Sequence, residues 1–126
     1  MDILAVGLGG LVGAITRYFF YRVEQTYSPF QFPFSTLVVN ILGCFLMGIL
    51  IAHLSKAPAP PTLLSLFLGV GFLGSLTTFS TFTAENYNLM TNGHWPSLFS
   101  NITLHVALSL AALFIGVLLT SKLQTP

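Results

Sequence analysis

Four apolar segments take up most of this 126-residue chain. Each is close to the roughly 20 residues a helix needs to cross a bilayer. The segments run from about Ile3 to Tyr21, Phe34 to Leu54, Thr62 to Met90 and Ser97 to Ser121. Only 6% of the residues are charged, against about 25% in a soluble domain. The length allows one domain, so residues 1–126 read as a single membrane domain with no room for a soluble one. The expected fold class is all-α integral membrane, with four transmembrane helices per chain. Four short helices can hardly enclose an aqueous path, so an oligomer is expected.

The connections are short and carry turn residues. They are Tyr27-Ser28-Pro29 with Phe32-Pro33, then Ala57-Pro58-Ala59-Pro60-Pro61, then Asn92-Gly93-His94-Trp95-Pro96. Tyr18, Tyr21, Tyr27, Tyr87 and Trp95 fall near span ends, where interfacial aromatics concentrate. The first charge is Asp2 and no basic region precedes the first span, so residues 3–21 are expected to be a retained span and not a cleaved signal.

Net charge is +1, which excludes electrostatic nucleic-acid binding as a main role; no protein partner beyond a second copy is expected. Four crossings put Lys56 and Lys122 on one face and Arg17 and Arg22 on the other. Two against two is no positive-inside bias. Either four basic residues are too few to show one, or the chain inserts both ways and opposite copies pair.

Several patterns read as packing. Gly9 and Gly13 have GxxxG spacing, and Gly10 and Ala14 repeat it one step on. Cys44 with Gly48 and Ala112 with Gly116 are further small-xxx-small pairs that let helix backbones approach in lipid. Cys44, the single cysteine, cannot form an intramolecular disulfide and reads as a small packing residue. Gly69-Val70-Gly71-Phe72-Leu73-Gly74 matches G-x-G-x-x-G, but a membrane span supplies neither the strand nor the βαβ unit a dinucleotide site needs. A Ser75–His105 protease dyad lacks a nucleophile-bearing domain. His53, His94 and His105 show no metal-ligand spacing.

The third span is different. From Gly74 to Phe82 it carries five hydroxyl side chains and two phenylalanines. Polar or irregular backbone at that depth is tolerated only where it is buried in protein or lines a cavity. Asn40, in span two, is either an interhelical hydrogen-bonding residue or a donor facing an ion path. Glu85 is the one carboxylate inside a span. It is a functional candidate by default, or it is close enough to the interface to be hydrated. Arg17 either snorkels or gives a vestibule a potential that attracts anions. His105 and Ser109 lie one turn apart on span four, with Thr103 nearby.

The candidate lining is hydroxyls, one amide and phenyl rings, with no ring of acidic or basic residues. Hydroxyls and amides donate hydrogen bonds to an anion, and a phenyl ring has a positive edge. That suits a path on which a small anion binds loosely enough to leave again.

Three motifs in order resemble the Fluc, or CrcB, fluoride-channel family. Gly9-Gly10-Leu11-Val12-Gly13-Ala14-Ile15-Thr16-Arg17-Tyr18 is similar to its GGxxGAxxRY. Thr36-Leu37-Val38-Val39-Asn40-Ile41-Leu42-Gly43 is similar to its TLxxNxxG, and Thr77 to Phe82 reads as its TTFSTF, followed by Glu85. The resemblance implies a passive channel in the bacterial inner (plasma) membrane that exports fluoride and relieves its toxicity. It implies an antiparallel, dual-topology homodimer with two pores and a break in the third span. Phe79, Phe82 and Asn40 would line the pores, with Ser109 on a polar track along span four, Glu85 tuning the pore, and Ser80 and Arg17 counted with the pore residues. A structural sodium ion at the dimer interface would be held by the backbone carbonyls of Gly74 and Thr77. The chain departs from the pattern at Leu113, where a hydroxyl is expected, at Ser75 and at Ser35.

Two other functions compete. A small multidrug-type proton-coupled antiporter needs a mid-membrane carboxylate, usually in span one, which here has none after Asp2. A structural membrane subunit would leave vesicles tight to every halide. Single-cysteine labelling at both termini is expected to find each terminus on both faces of the membrane. Labelling from one face only would rule out dual topology.

Overall fold

The computed structural model describes residues 1–27, 32–55 and 60–123. The loop residues Ser28 and Pro29, the run Ala57-Pro58-Ala59 and the charge on Lys56 lie outside them. Among the described residues every regular element is helical. Helix α1 is Asp2–Tyr27 and α2 is Phe34–Leu54. Helix α3 spans 63–76: it starts with Leu63–Ser65, continues as a π-helix over Leu66–Leu73 and closes with Gly74–Leu76. Helix α4 is Phe79–Thr91 and α5 is Trp95–Leu123. With α3 and α4 taken as one stretch, four helices are long and apolar enough to cross a membrane. The break expected in the third falls at Thr77 and Thr78, both in extended conformation.

Local chemistry explains the boundaries. Pro60 and Pro61 precede α3, and the Thr62 hydroxyl caps it by accepting the Ser65 N–H at 3.1 Å. Between α4 and α5 the chain turns at Gly93, whose φ of 73° suits a residue without a Cβ. The π register of α3 has no counterpart in the sequence reading. Its ladder is wider by one residue, as in the Gly74 N–H donating to the Gly69 carbonyl, and such segments gather at functional sites.

The helices associate as two close pairs, α1 on α3 and α2 on α5. Glycine makes both contacts possible. A Cβ on Gly9 would collide with the Phe67 carbonyl, and one on Gly13 with the Phe72 carbonyl. Across the second pair, Gly48 abuts the Leu113 carbonyl and Gly116 the Phe45 carbonyl. The small-xxx-small reading of these positions therefore describes real backbone contacts. A cluster of Val39, Leu73 and Leu76, with Phe20, Met47, Leu50 and Phe72 packed on it, joins α2 to α3 and α1. Other apolar faces, such as Leu8, Ile15, Phe114 and Leu118, point outward.

Gly48→Ala is expected to destabilise the protein by about 1–3 kcal/mol, because backbone cannot yield to the added methyl. Gly7→Ala, where nothing lies within 4 Å, should be neutral or slightly stabilising. Thermal unfolding of both variants in detergent checks the contrast; equal midpoints would contradict the packing argument.

Candidate functional site

The site is built around the break. Asn40 faces it from α2 and pairs with the Thr78 peptide on both sides. Its Nδ2 donates to the Thr78 carbonyl at 3.1 Å, and its Oδ1 accepts the Thr78 N–H at 2.8 Å. In a continuous helix the Thr78 N–H would reach the Gly74 carbonyl, and the Thr81 N–H the Thr77 carbonyl. Here Asn40 takes the first. The second goes to the Thr78 hydroxyl at 3.2 Å, which caps α4. The Thr77 hydroxyl donates back to the Leu73 carbonyl at 2.9 Å, closing the end of α3. The break is thus hydrogen-bonded by side chains where the helix ladder stops, and Gly74 and Thr77 lose the donors a helix would supply.

The first residue of α4 is Phe79, 78% exposed. Its ring centroid is 5.5 Å from that of Phe82, and Phe82 is 4.5 Å from the ring of His105 on α5. These rings border a pocket of 420 Å³ with Asn40, Gly74, Thr77 and Ser109. Cys44, Thr78 and Val106 complete its wall, and among the described residues no Asp, Glu, Lys or Arg borders it. Six residues singled out in the sequence, from three separate segments, meet at this pocket. Asn40 makes the interhelical hydrogen bond to the broken span, and it also borders this cavity.

Three other candidates stand elsewhere. Ser80 is exposed, and its hydroxyl lies 3.2 Å from that of Thr78. Arg17 borders a separate pocket of 300 Å³ with Tyr18, Thr36 and Thr81. Glu85 opens on a vestibule of 570 Å³ with Glu24, Asn88 and His94. Thr36 of the Arg17 pocket donates its hydroxyl to Glu85 Oε1 at 2.5 Å. Among the departures from the family pattern, Leu113 does not border the pocket; its backbone forms the α2–α5 contact at Gly48. Ser75 faces Gly10 of α1, away from the pocket that His105 borders.

The structure adds residues the sequence reading passed over. Helix α2 has Pro33 at its cap position and gets no side-chain cap from it. Glu24 of α1 supplies one, accepting the Phe34 N–H at 2.6 Å and the Ser35 hydroxyl. A carboxylate at a helix N-terminus is favourable, and Ser35 gains a function at a position where the family often has glycine. Glu24 lies near the end of α1, ten residues before Phe34, so nothing local in the sequence marks it as the cap of α2. Asn86 and Asn101 were also missed, although amides in apolar spans normally mark interhelical bonds. Asn101 Nδ2 donates to Asn86 Oδ1 at 2.9 Å, tying α5 to α4.

Four membrane-length helices, one of them broken beside a polar pocket, define a polytopic membrane protein. Residues 4–117 match the family described as CrcB-like protein, Camphor Resistance (CrcB). A protein of Saccharophagus degradans named fluoride-specific ion channel FluC is 42% identical over 123 residues, covering 95% of this chain and 90% of that protein. Proteins of the same name from Sulfurovum sp. and Campylobacter jejuni are 41% and 39% identical, covering 96% and 93% of this chain and 94% and 95% of their own. The chain belongs to the CrcB family, and it is a multi-pass protein of the bacterial cell membrane.

Asn40→Leu removes both partners of a half-buried peptide group, at about 1–3 kcal/mol for each orphaned atom. The variant is expected to melt earlier and to lose hydrogen-exchange protection at the Thr78 N–H. Protection equal to the parent would show that Asn40 is dispensable for the break.

Proposed function

We propose that this protein is a fluoride-selective passive ion channel, not an enzyme, and that it exports fluoride across the bacterial cell membrane to relieve its toxicity. The observation that carries the reading is the identity of about 41%, over nearly the whole chain, to proteins named fluoride-specific ion channels. The pocket at the break supports it. Fluoride is a small, strongly hydrated acceptor, and it needs donors when it sheds water. Ser109 offers a hydroxyl, Asn40 retains one Nδ2 hydrogen beyond the bond to Thr78, and Phe79 and Phe82 offer ring edges. Among the described residues no Asp, Glu, Lys or Arg borders the pocket to trap the ion.

The working unit in this proposal is an antiparallel, dual-topology homodimer with two pores. The exposed Phe79 and the outward apolar faces leave surface for a second copy. In this reading Phe79, Phe82, Asn40, Ser109 and Ser80 line the path, while Glu85 and Arg17 condition its mouths. The Gly74 and Thr77 carbonyls would hold a structural sodium ion at the interface. Their chemistry fits: hard oxygen ligands at the end of a half-helix, with their helical donors diverted to Asn40 and Thr78. Such an ion would balance the partial negative charge of those carbonyls. An antiporter reading has no support in the first span, where nothing acidic follows Asp2.

Purified protein in liposomes is expected to release fluoride rapidly and chloride negligibly, read with two ion-selective electrodes. Tight vesicles from folded protein would overturn the proposal. Phe79→Ile and Phe82→Ile should each cut fluoride flux by roughly tenfold or more, the factor that about 1.4 kcal/mol of barrier represents, with the dimer intact. Asn40→Asp should do the same, since a carboxylate repels the anion and removes the donors. Unchanged flux in all three variants would remove these residues from the path.

A further inference from the structure

Helix α4 carries Phe79 and Phe82, yet its packing does little to fix where it stands. Among the described residues Leu89 alone of its thirteen is buried, and α4 meets α5 much more sparsely than α2 does. Apolar contact gives it no firm seat, because lipid tails are as apolar as leucine and water exclusion does not press helices together in a bilayer. Directional bonds must therefore orient it.

Such bonds stand on both sides of Phe82. Toward the break, Asn40 holds the peptide of Thr78, the residue before α4 begins. Away from it, Asn101 Nδ2 of α5 donates to Asn86 Oδ1 at 2.9 Å. Asn86 comes one turn after Phe82 on the same face of α4, and Asn101 one turn before His105 on the same face of α5. The two helices thus meet in successive layers: the amide pair, and a turn further Phe82 on the His105 ring, with centroids 4.5 Å apart. At the other end the chain reverses at Gly93, and the His94 N–H closes the turn on the Leu89 carbonyl at 2.9 Å. Asn101 is 0% exposed, so bulk water does not compete for its amide.

We propose that the Asn86–Asn101 pair is a positioning element: it fixes the roll and register of α4 against α5, and so sets where the Phe82 ring stands in the fluoride path. The path itself rests on the channel reading above; the placement of the ring does not. Neither asparagine borders the pocket, so the pair acts through Phe82 and not on the ion. A ring attracts an anion only at its edge, and the edge must be aimed. A slip of one residue rolls a helix by roughly 100°, which would turn that edge away. The bond at Thr78 alone leaves α4 free to swing about the break; a second anchor beyond Phe82 gives it a line.

Removing one asparagine leaves the other amide unpaired, which costs stability whatever the pair does for the ring. Replacing both by leucine removes that penalty, so stability and ring placement come apart in the double variant. Asn86→Leu and Asn101→Leu are each expected to melt earlier than the parent, and Asn86→Leu/Asn101→Leu to recover toward it. With 4-fluorophenylalanine at position 82, 19F solid-state NMR in lipid should show one ordered ring in the parent. In the double variant the anisotropy should be averaged or the line split, and fluoride efflux per folded dimer of the unlabelled protein should stay roughly tenfold low. A merely structural pair predicts that flux and ring order return with the melting temperature, and either return would overturn the proposal. Should the double variant not fold, Asn86→Ala, at a half-buried position, carries the same ring comparison: a parental spectrum overturns the proposal and a disordered one supports it. A parent that passes no fluoride would count against the channel reading, and the ring spectra alone would then decide the role of the pair.

Discussion

A peptide unit inside a bilayer has no water to bond, so every N–H and C=O must find a partner in the protein. Helices meet that requirement automatically, and this chain departs from it at one chosen place. At Thr77 and Thr78 the third span opens into extended backbone, and Asn40 closes two hydrogen bonds on the Thr78 peptide. The Thr78 hydroxyl caps the helix that follows. With those bonds in place, α4 can begin on a new line and carry Phe79 and Phe82 at its first turn. Gly74 and Thr77, whose carbonyls leave the ladder there, border the same pocket as the rings.

That bond needs α2 to stand close to the break, and the glycine contacts supply the closeness. Gly48 and Gly116 bring α2 and α5 backbone to backbone, while Gly9, Gly13 and Gly71 do so for α1 and α3. Because α2 also packs on α3 through Val39, Leu73 and Leu76, it links the two pairs. Asn40 projects from its middle toward the break, and Ser109 and His105 arrive from α5 at the same cavity. The pocket is therefore a product of tight interhelical contact, which in lipid comes from packing and hydrogen bonds and not from water exclusion.

Much of this was legible in advance. Apolar run lengths marked four spans, and the density of hydroxyls from Gly74 to Phe82 marked where the third would depart from a plain helix. Small-residue spacing marked Gly9, Gly13, Gly48 and Gly116 as contact points. Asn40 was recognised as polar at depth, but its partner could not be named, because a side-chain bond to a distant peptide leaves no periodic trace. Glu24 escaped notice for the same reason: a cap delivered by the preceding helix depends on how two helices meet. Leu113 looked like a gap in a polar track, yet its backbone is committed to the α2–α5 contact. The π register and the Asn86–Asn101 pair also became visible only with the helices assembled.

The sequence by itself determined the solvent this protein lives in, the number of its spans, the family to which it belongs and the segment that carries its chemistry. Those properties are set by composition, run length and local motif, and they do not depend on which helix touches which. Tertiary structure decided the rest. It assigned Asn40 to the Thr78 peptide, separated Arg17 and Glu85 from the pocket of Phe79 and Phe82, and turned Ser35 toward Glu24. Each of these is a distance between residues far apart in the chain, and only the packing of helices across one another sets such distances.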